Sequence, residues 1–284
     1  MKKHDDFDLW LHENDELAKI HGTHITTREP IRGWPLSVVE RVVFSDGTSR
    51  IYKAFRNLPI ETKFYEKIQS PHVPKMFYSH TDGEQHWLLL EDLKGQHPEN
   101  LNRDEILNLA RQARKIINGL GSVELYRFDL SARGYDGFVF AVIDLLSKLL
   151  KEGKLKTTDG EAITRIKEAL AHTEVKCLVQ GQCSLLHGDF KCDNILIRSD
   201  GSMSIIDWQS FLFGPEEIDI YHMMVSQEID PLPIAGIAPE ILRSALAIKW
   251  LADCADRWLP DWAGFYDGQI AKTEQHIQEI MKSN

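Results

Sequence analysis

Residues 187 to 194 read His187-Gly188-Asp189-Phe190-Lys191-Cys192-Asp193-Asn194, and a second short segment, Ile205-Ile206-Asp207, follows them. Together the two segments supply two carboxylates, a lysine and an amide, on Asp189, Asp207, Lys191 and Asn194. Gathered around one point, such groups suit the transfer of a phosphoryl group to a hydroxyl, because that reaction depends on positioning and charge neutralisation. The pattern therefore indicates a phosphotransferase.

A β-hairpin is predicted between the two segments. Short apolar runs flank the dipeptide Asp200-Gly201, which is typical of two-residue type I′ turns. With that turn, Asn194 faces Asp207 on one side of the hairpin, at a Cβ separation of roughly 4.5–5.5 Å. An amide oxygen and a carboxylate oxygen at that separation can share one Mg²⁺ ion, which keeps phosphate and water oxygens as its other ligands. Asn194 and Asp207 are thus the predicted metal ligands.

Asp189 lies on the loop just before this hairpin. A carboxylate there can orient the attacking hydroxyl and accept its proton, while Lys191 can reach the transferred phosphate as a point charge. The alternative is a structural one, in which His187 pairs with Asp189 and the polar residues near the hairpin only form turns. We take Asp189 and Lys191 as the predicted catalytic residues.

The two segments resemble the catalytic loop and metal-binding acid of the aminoglycoside phosphotransferase and choline kinase superfamily. His187-Gly188-Asp189 matches the loop of that family, and Asn194 and Asp207 match its two metal ligands. The resemblance implies a small-molecule kinase that uses ATP or GTP with Mg²⁺. It also suggests that Asp219 braces the catalytic loop by accepting backbone hydrogen bonds, although an exposed helix carboxylate is an alternative.

The order of patterns along the chain agrees with a two-lobed, protein-kinase-like α+β fold. Residues 1–93 form the expected N-terminal nucleotide-binding lobe, with an antiparallel sheet after a helical segment around 8–20. Residues 94–284 form a mainly helical C-terminal lobe with the catalytic loop and the acceptor site. Helical periodicity there covers 103–120, 138–150 and 161–171.

The nucleotide site is predicted upstream, in a second hairpin around Asp46-Gly47. On its second strand Ile51, Lys53 and Phe55 share one face by the period of two. A lysine among apolar neighbours suits the α and β phosphates. The same two-residue turn, however, would place Glu40 opposite Lys53, so an ordinary cross-strand ion pair is the alternative.

A short helix follows, on whose buried stripe Glu61 lies, whereas Glu66 points elsewhere. Glu61 is therefore the predicted partner of Lys53, unless it is only a favourable acid in the first helical turn. By resemblance, the adenine ring lies against the backbone of residues Glu91 to Leu93, with Ile51 lining the ring.

Features of protein kinases are missing from the sequence. Residues 30–37 contain one glycine where protein kinases carry a Gly-rich loop. Asp207-Trp208-Gln209 also stands in place of Asp-Phe-Gly. The chain is therefore expected to act on a small molecule.

Composition excludes several classes of protein. The net charge of −10 makes a nucleic-acid partner improbable, since phosphate-backbone binding needs a basic patch. No stretch approaches the roughly 18 continuous apolar residues of a membrane span, and the first residues lead into no signal-peptide core. A cytoplasmic location with free thiols is expected, whereas the oligomeric state stays open.

The acceptor is predicted only as a class. It is a small polar molecule, with a cationic one as an option, because the helical part offers carboxylates for the amines of an aminoglycoside and aromatic faces for a choline-like group. The candidates are Asp253, Asp256, Asp261, Trp250, Trp258 and Trp262; at helical spacing, core packing and a solvated surface are the alternatives. Two other functions stay open: an inactive nucleotide-binding regulator and a metal-dependent phosphoester hydrolase.

Overall fold

The structure, a computed structural model, describes residues 1–56, 59–121 and 126–283. They divide into two compact units, residues 1–99 with 193–209 and residues 100–192 with 210–284. The sequence suggested one division near residue 93. The structure groups residues 193–209 with the first unit, because a strand of that segment pairs with residues 95 and 96.

The strands are β1 (Lys2–Lys3), β2 (Trp10–Leu11), β3 (Ile25–Trp34), β4 (Ser37–Phe44), β5 (Ser49–Arg56), β6 (Met76–Asp82), β7 (Gln85–Glu91), β8 (Gly95–Gln96), β9 (Cys183–Leu186), β10 (Ile195–Arg198), β11 (Met203–Ile205) and β12 (Leu212–Pro215). The helices are α1 (Asn14–His21), α2 (Ile60–Lys67), α3 (Arg103–Gly119), α4 (Tyr135–Lys151), α5 (Gly160–Leu170), α6 (Thr173–Gln180), α7 (Glu217–Ser226), α8 (Leu232–Ala235), α9 (Ala238–Asp253) and α10 (Ala263–Lys282). This distribution confirms the predicted class, α+β with an antiparallel sheet in the N-terminal part and a mainly helical C-terminal part.

The first unit contains a five-stranded antiparallel sheet with the order β3-β4-β5-β7-β6. On β5, Tyr52 and Ala54 point to one face and join a core that includes Leu17 of α1. Because side chains alternate along a strand, Lys53 and Phe55 point to the other face. The lysine is thereby held on the face opposite this core.

The N-terminal helix is shorter than predicted. The sequence suggested a helix over 8–20, but Trp10–Leu11 forms strand β2, paired with β1. Helix α1 begins only at Asn14, where Glu13 and Glu16 form a reciprocal capping box. The two-residue pairing thus delays the start of the helix.

Both Asp-Gly hairpins have a register that differs by one residue from the prediction. In the β4–β5 hairpin, the amide of Gly47 donates to Phe44 O at 3.0 Å and the amide of Phe44 donates to Thr48 O at 2.9 Å. In the β10–β11 hairpin, the amides of Gly201 and Arg198 make the corresponding bonds, both of 2.9 Å. Each loop therefore contains three residues and ends on a left-handed glycine, with φ of 83° and 80°.

The three-residue loops correct two predicted pairings. Val39, rather than Glu40, is paired with Lys53, and Glu40 instead accepts a 2.9 Å hydrogen bond from Arg28 Nε. The cross-strand Glu40–Lys53 ion pair is therefore wrong. In the second hairpin Ile195 pairs with Ile205, so the expectation that Asn194 stands directly opposite Asp207 is wrong as well.

In the second unit, apolar faces of α4, α5, α9 and α10 build one large core. The two-stranded sheet β9–β12 supplies Leu186 and Leu212 to the same core. The four cysteines form no disulfide bond among the described residues. No helix within 1–56, 59–121 and 126–283 combines the length and the apolarity of a membrane span.

Candidate active site

Lys53 lies at the centre of a charged cluster in the first unit. Its side chain is buried on β5, between the paired positions Val39 and Leu88. The ammonium nitrogen lies 2.7 Å from Glu61 Oε2 and 2.6 Å from Asp207 Oδ1. Burial alone would lower the pKa of Lys53, but the carboxylates of Asp207 and Glu61 raise it above its ordinary value. The lysine is therefore a permanent cation here.

Glu61 is held on the buried side of α2, in the first turn after Pro59. The side chain is only 1% exposed. Burial raises the pKa of Glu61 to about 7, and the positive charge of Lys53 opposes that rise. The pairing expected between Lys53 and Glu61 is thus present in the structure, while its use in holding a nucleotide stays a prediction.

Asp207 follows β11 in a left-handed backbone conformation, with φ of 64°. Aspartate adopts this conformation more readily than most residues other than glycine, but its surroundings must still favour it. Here the next residue, Trp208, is fully buried, stacks on Phe64 of α2 at 4.1 Å between ring centroids, and donates from Nε1 to Ile205 O at 3.0 Å. The tryptophan therefore anchors the chain next to Asp207 to the helix that carries Glu61.

Asn194 ends a short 3₁₀ turn, Cys192–Asn194, and is buried. Its backbone carbonyl accepts a 3.0 Å hydrogen bond from the amide of Ile206. Asn194 and Asp207 thus lie one register step apart, rather than directly opposite each other. Ligation of a metal by both side chains stays a prediction.

The donor set of the first unit fits a hard divalent cation bound with a nucleotide. No group of three or more His, Cys, Asp or Glu side chains that could hold a metal occurs among the described residues. An amide and one carboxylate are too few ligands for an all-protein cage, but they suit Mg²⁺, which keeps water and phosphate ligands.

The predicted adenine segment begins at the last residue of strand β7, Glu91. Glu91 pairs with Arg50 of β5, and its amide donates to Lys75 O at 2.8 Å. Leu93 is buried, and Ile51 is half-buried opposite Leu90. Binding of adenine to this segment stays a prediction.

Between Glu91 and Leu93 lies a side chain that sequence reasoning missed. The Asp92 carboxylate is 2% exposed and accepts hydrogen bonds from Arg41 Nε at 3.0 Å and from Ser49 Oγ at 2.7 Å. Burial alone would raise the pKa of Asp92, but bonds from Lys94, Ser49 and Arg41 lower it. This carboxylate therefore stays ionised and fixes the end of β7.

In the second unit, the catalytic loop is held by Asp219, a fully buried residue in the first turn of α7. Its carboxylate accepts the amide of His187 at 2.9 Å and the amide of Gly188 at 3.1 Å. Arg114 of α3 donates to the same carboxylate at 2.7 Å and to Leu185 O at 2.8 Å. The predicted bracing of the loop by Asp219 is thereby confirmed.

Gly188 allows the loop to pass close to the chain at Ser210, shortly after Asp207. Its φ is 80°, and a Cβ atom there would lie 2.2 Å from the carbonyl oxygen of Ser210. Only glycine fits this combination of conformation and contact. The glycine of the loop sequence is thus required by packing.

Asp189 lies between two potential cations of the second unit. Lys191 Nζ is 3.0 Å from Oδ2, and His222 Nε2 is 3.5 Å from Oδ1. Burial alone would raise the pKa of Asp189, but the charges of Lys191, His222 and His187 lower it. The carboxylate is therefore ionised at neutral pH, a condition for the predicted role of general base.

Two important partners of the loop could not be found from sequence spacing. His222 lies on α7 and Arg114 on α3, distant from residue 189 along the chain and without a motif of their own. Burial lowers the pKa of His222. Their roles come only from the folded structure.

The carboxylates named as acceptor candidates are occupied or exposed. Lys249 Nζ lies 2.7 Å from Asp253 Oδ2, and Asp256 accepts from Lys148 at 2.8 Å. Asp261 is exposed at a 3₁₀ turn. The three tryptophans differ: Trp250 and Trp258 pack against the large core, whereas Trp262 is 54% exposed.

The sequence pattern of the phosphotransferase enzyme family matches residues 49–266. The streptomycin–ATP ternary complex of APH(2")-IIa is 17% identical, with a TM-score of 0.58 over 93% of this chain and 99% of that chain. The GDP complex of aminoglycoside 2'-phosphotransferase-IIIa is 12% identical, with a TM-score of 0.62 over 92% and 96%. APH(3'')-Id from Streptomyces rimosus is 14% identical, with a TM-score of 0.51 over 93% and 95%. No curated protein matches the chain by sequence.

These similarities confirm the kinase-like fold predicted from the catalytic-loop motif. The family pattern spans most of the chain and includes every residue predicted for the nucleotide, the metal and catalysis. It also confirms the prediction of a small-molecule kinase. The chain belongs to the phosphotransferase enzyme family.

Proposed function

We propose that the protein transfers the γ-phosphoryl group of a magnesium nucleotide, ATP or GTP, to a hydroxyl group of a small polar acceptor. The observation that carries the proposal is the ammonium group of Lys53, buried between the carboxylates of Glu61 and Asp207 at 2.7 and 2.6 Å. A buried cation fixed by two acids is preorganised to meet phosphate oxygens, which is the main task of the protein in phosphoryl transfer.

Each predicted site residue of the first unit then has a defined role. Lys53 binds the α and β phosphates, and Glu61 keeps its ammonium in place. Asp207 and Asn194 hold Mg²⁺, which when bound neutralises the negative charge of the phosphates. The backbone of residues 91 to 93 binds the base of the nucleotide, with Ile51 against the ring.

The second unit supplies the proton acceptor. Asp189 orients the acceptor hydroxyl through Oδ1 or Oδ2 and takes its proton as the oxygen attacks the phosphorus. Lys191, 3.0 Å from Asp189, balances the charge of the transferred group. Asp219 keeps the loop in this conformation through the two backbone amides that it binds.

The test is nucleotide consumption by the purified protein with Mg²⁺ and a panel of aminoglycosides, amino alcohols, sugars, sugar acids and nucleosides. Both ATP and GTP belong in the panel, because relatives of this fold have been solved with ATP and with GDP. Asp189→Asn should reduce transfer by about 10²–10⁴ while nucleotide binding persists. Asp193→Asn, which removes an exposed acid from the same loop, is the matched control and should leave transfer unchanged.

The same assay separates the alternative functions. Tight binding of magnesium nucleotide without transfer to any acceptor would favour a regulatory protein. Release of phosphate from phosphoesters without a nucleotide would favour a hydrolase. Transfer that is lost in Asp189→Asn and kept in Asp193→Asn would establish the kinase.

A further inference from the structure

Arg127 lies beside the strand that follows the catalytic loop. Its amide donates to Phe211 O at 3.2 Å, and the carbonyl of Phe128 accepts from the amide of Phe213 at 3.0 Å. The chain segment from 126 to 130 therefore runs along β12. The residue before Phe211 is Ser210, whose carbonyl is the close neighbour of Gly188. Arg127 is thus placed one short strand away from the loop that carries Asp189.

The guanidinium group of Arg127 is largely buried, and two of its nitrogens have no hydrogen-bonding partner among the described residues. The side chain is 11% exposed, and Nε and Nη2 are buried atoms that donate no hydrogen bond to the described residues. The nearest carboxylate oxygen, Asp253 Oδ2, lies 3.6 Å from Nη2, beyond hydrogen-bond distance. Buried donors nearly always have a hydrogen-bonding partner in folded proteins. The Nε and Nη2 donors of Arg127 therefore point to a ligand.

The charge around Arg127 is positive. Asp253 Oδ2 is already bound by Lys249 Nζ at 2.7 Å, and the charge of Arg257 also acts on Arg127. The neighbouring acid Asp256 is neutralised by Lys148 and Lys154, at 2.8 and 3.3 Å. The carboxylate of Asp253 thus faces both Arg127 and Lys249. A further negative group would neutralise the excess positive charge.

Aromatic rings form the walls of this cluster. The guanidinium carbon of Arg127 lies 5.4 Å from the ring centroid of Phe128 and 5.9 Å from that of Trp258. Trp258 ends a π-helical segment, Cys254–Trp258, which continues α9 directly after Asp253. Single π-helical turns within helices occur frequently at functional sites.

We propose that Arg127 and Lys249, beside Phe128 and Trp258, form a subsite for an oxyanion of the acceptor, a carboxylate or a phosphate. The inference rests on the proposed function and narrows it: the acceptor is a small hydroxylated molecule that carries a negative group. The paired N–H groups of an arginine match the two oxygens of such a group. A cationic acceptor would instead have to compete with Lys249 for Asp253.

Thermal unfolding of the full chain tests the subsite without any catalysis, because a ligand of the folded state raises Tm. Saturating Mg·ADP is present throughout, so that the nucleotide phosphates are already supplied. The probes are glycerol, glycerate and glycerol phosphate, which share one scaffold and differ in the charged group. We expect a saturable rise in Tm with one or both anions and none with glycerol; the more effective anion identifies the group.

Two variants with opposite expected effects on anion affinity make the test specific. Arg127→Gln should weaken binding of the effective anion about tenfold or more, since it removes a charge-assisted pair. Asp253→Asn removes the carboxylate that competes with the anion, so it should strengthen binding. Arg133→Gln is the matched control, because Arg133 belongs to the next few residues of the chain and is 92% exposed; its anion response should equal that of the parent protein.

The inference is overturned if Arg127→Gln and Asp253→Asn both lower Tm and leave the anion response unaltered, because that describes a structural ion pair. It is also overturned if an amine such as choline raises Tm and Asp253→Asn abolishes the effect. The proposed function fails separately. Anion binding without phosphoryl transfer keeps the subsite and refutes the kinase, whereas transfer with an unchanged acceptor KM in Arg127→Gln keeps the kinase and refutes the subsite.

Discussion

The ammonium nitrogen of Lys53 lies 2.6 Å from Oδ1 of Asp207. A metal ion bound to Asp207 would therefore share this carboxylate with Lys53, and Oδ2 is the oxygen that faces away from the ammonium group toward Gln209 at 3.5 Å. The expected metal ligand, Asp207, is therefore in direct contact with the expected phosphate-binding residue, Lys53. Cation and nucleotide binding should accordingly depend on each other.

Asp207→Ala tests this dependence. The substitution removes a metal ligand but leaves Lys53 paired with Glu61 at 2.7 Å, so nucleotide binding without Mg²⁺ should persist. The tightening of nucleotide binding by Mg²⁺ should fall by about tenfold or more, the scale of a lost charged contact. Calorimetric titration with ADP, with and without Mg²⁺, measures both affinities. An undiminished effect of Mg²⁺ in the variant would exclude Asp207 as a ligand.

Lys191→Met should change both the rate and its pH dependence. Lys191 lowers the pKa of Asp189, so its removal raises that pKa. Because the base must be ionised, the acid limb of the kcat–pH profile should move to higher pH. The plateau rate should also fall by about tenfold or more, since a charge that stabilises the transition state is lost. Lys191→Arg keeps the positive charge and should leave the acid limb in place.

Local sequence patterns were sufficient to predict the Lys53–Glu61 pair but not the register of the two hairpins. The alternation on β5 and the helical spacing around Glu61 predicted a pair that the structure contains at 2.7 Å. An Asp-Gly dipeptide, in contrast, suits both a two-residue turn and a three-residue loop with the glycine in the left-handed region. Choosing between the two needs the packing of both strands, and the wrong choice shifted both hairpins by one residue.

Contacts between distant helices carry no such local signal. Asp219 could be proposed only through the family resemblance, and its partner Arg114 lies on another helix. His222 faces Asp189 from α7, and nothing in the spacing of the two residues indicates it. These contacts depend on how α3, α7 and the loop pack, which the sequence does not specify locally.

His222→Gln predicts a pH effect on stability. Burial holds the pKa of His222 below its ordinary value of 6.5, so below about that pH the imidazole is protonated to a smaller extent in the folded chain than in the unfolded chain. The parent protein should therefore lose stability as the pH falls through 6.5, by at most about 1.4 kcal/mol per pH unit for this group. The variant lacks that contribution. Urea unfolding at pH 7.5 and 5.5 gives both losses, and equal losses in the two proteins would contradict the prediction.

Gly188→Ala and Gly201→Ala separate two reasons for a glycine with positive φ. One is the backbone conformation, and the other is the lack of space for a side chain. Both residues have φ of 80°, but a Cβ at 188 would lie 2.2 Å from Ser210 O, whereas a Cβ at 201 has no atom within 4 Å. Gly201→Ala should cost only the conformational strain, about 1–2 kcal/mol. Gly188→Ala adds overpacking, a further cost of about 1–3 kcal/mol, and should also slow transfer because it displaces the loop that carries Asp189. Urea unfolding gives the two free energies, and equal costs would mean that Ser210 yields freely and that the glycine of the loop serves its backbone conformation alone.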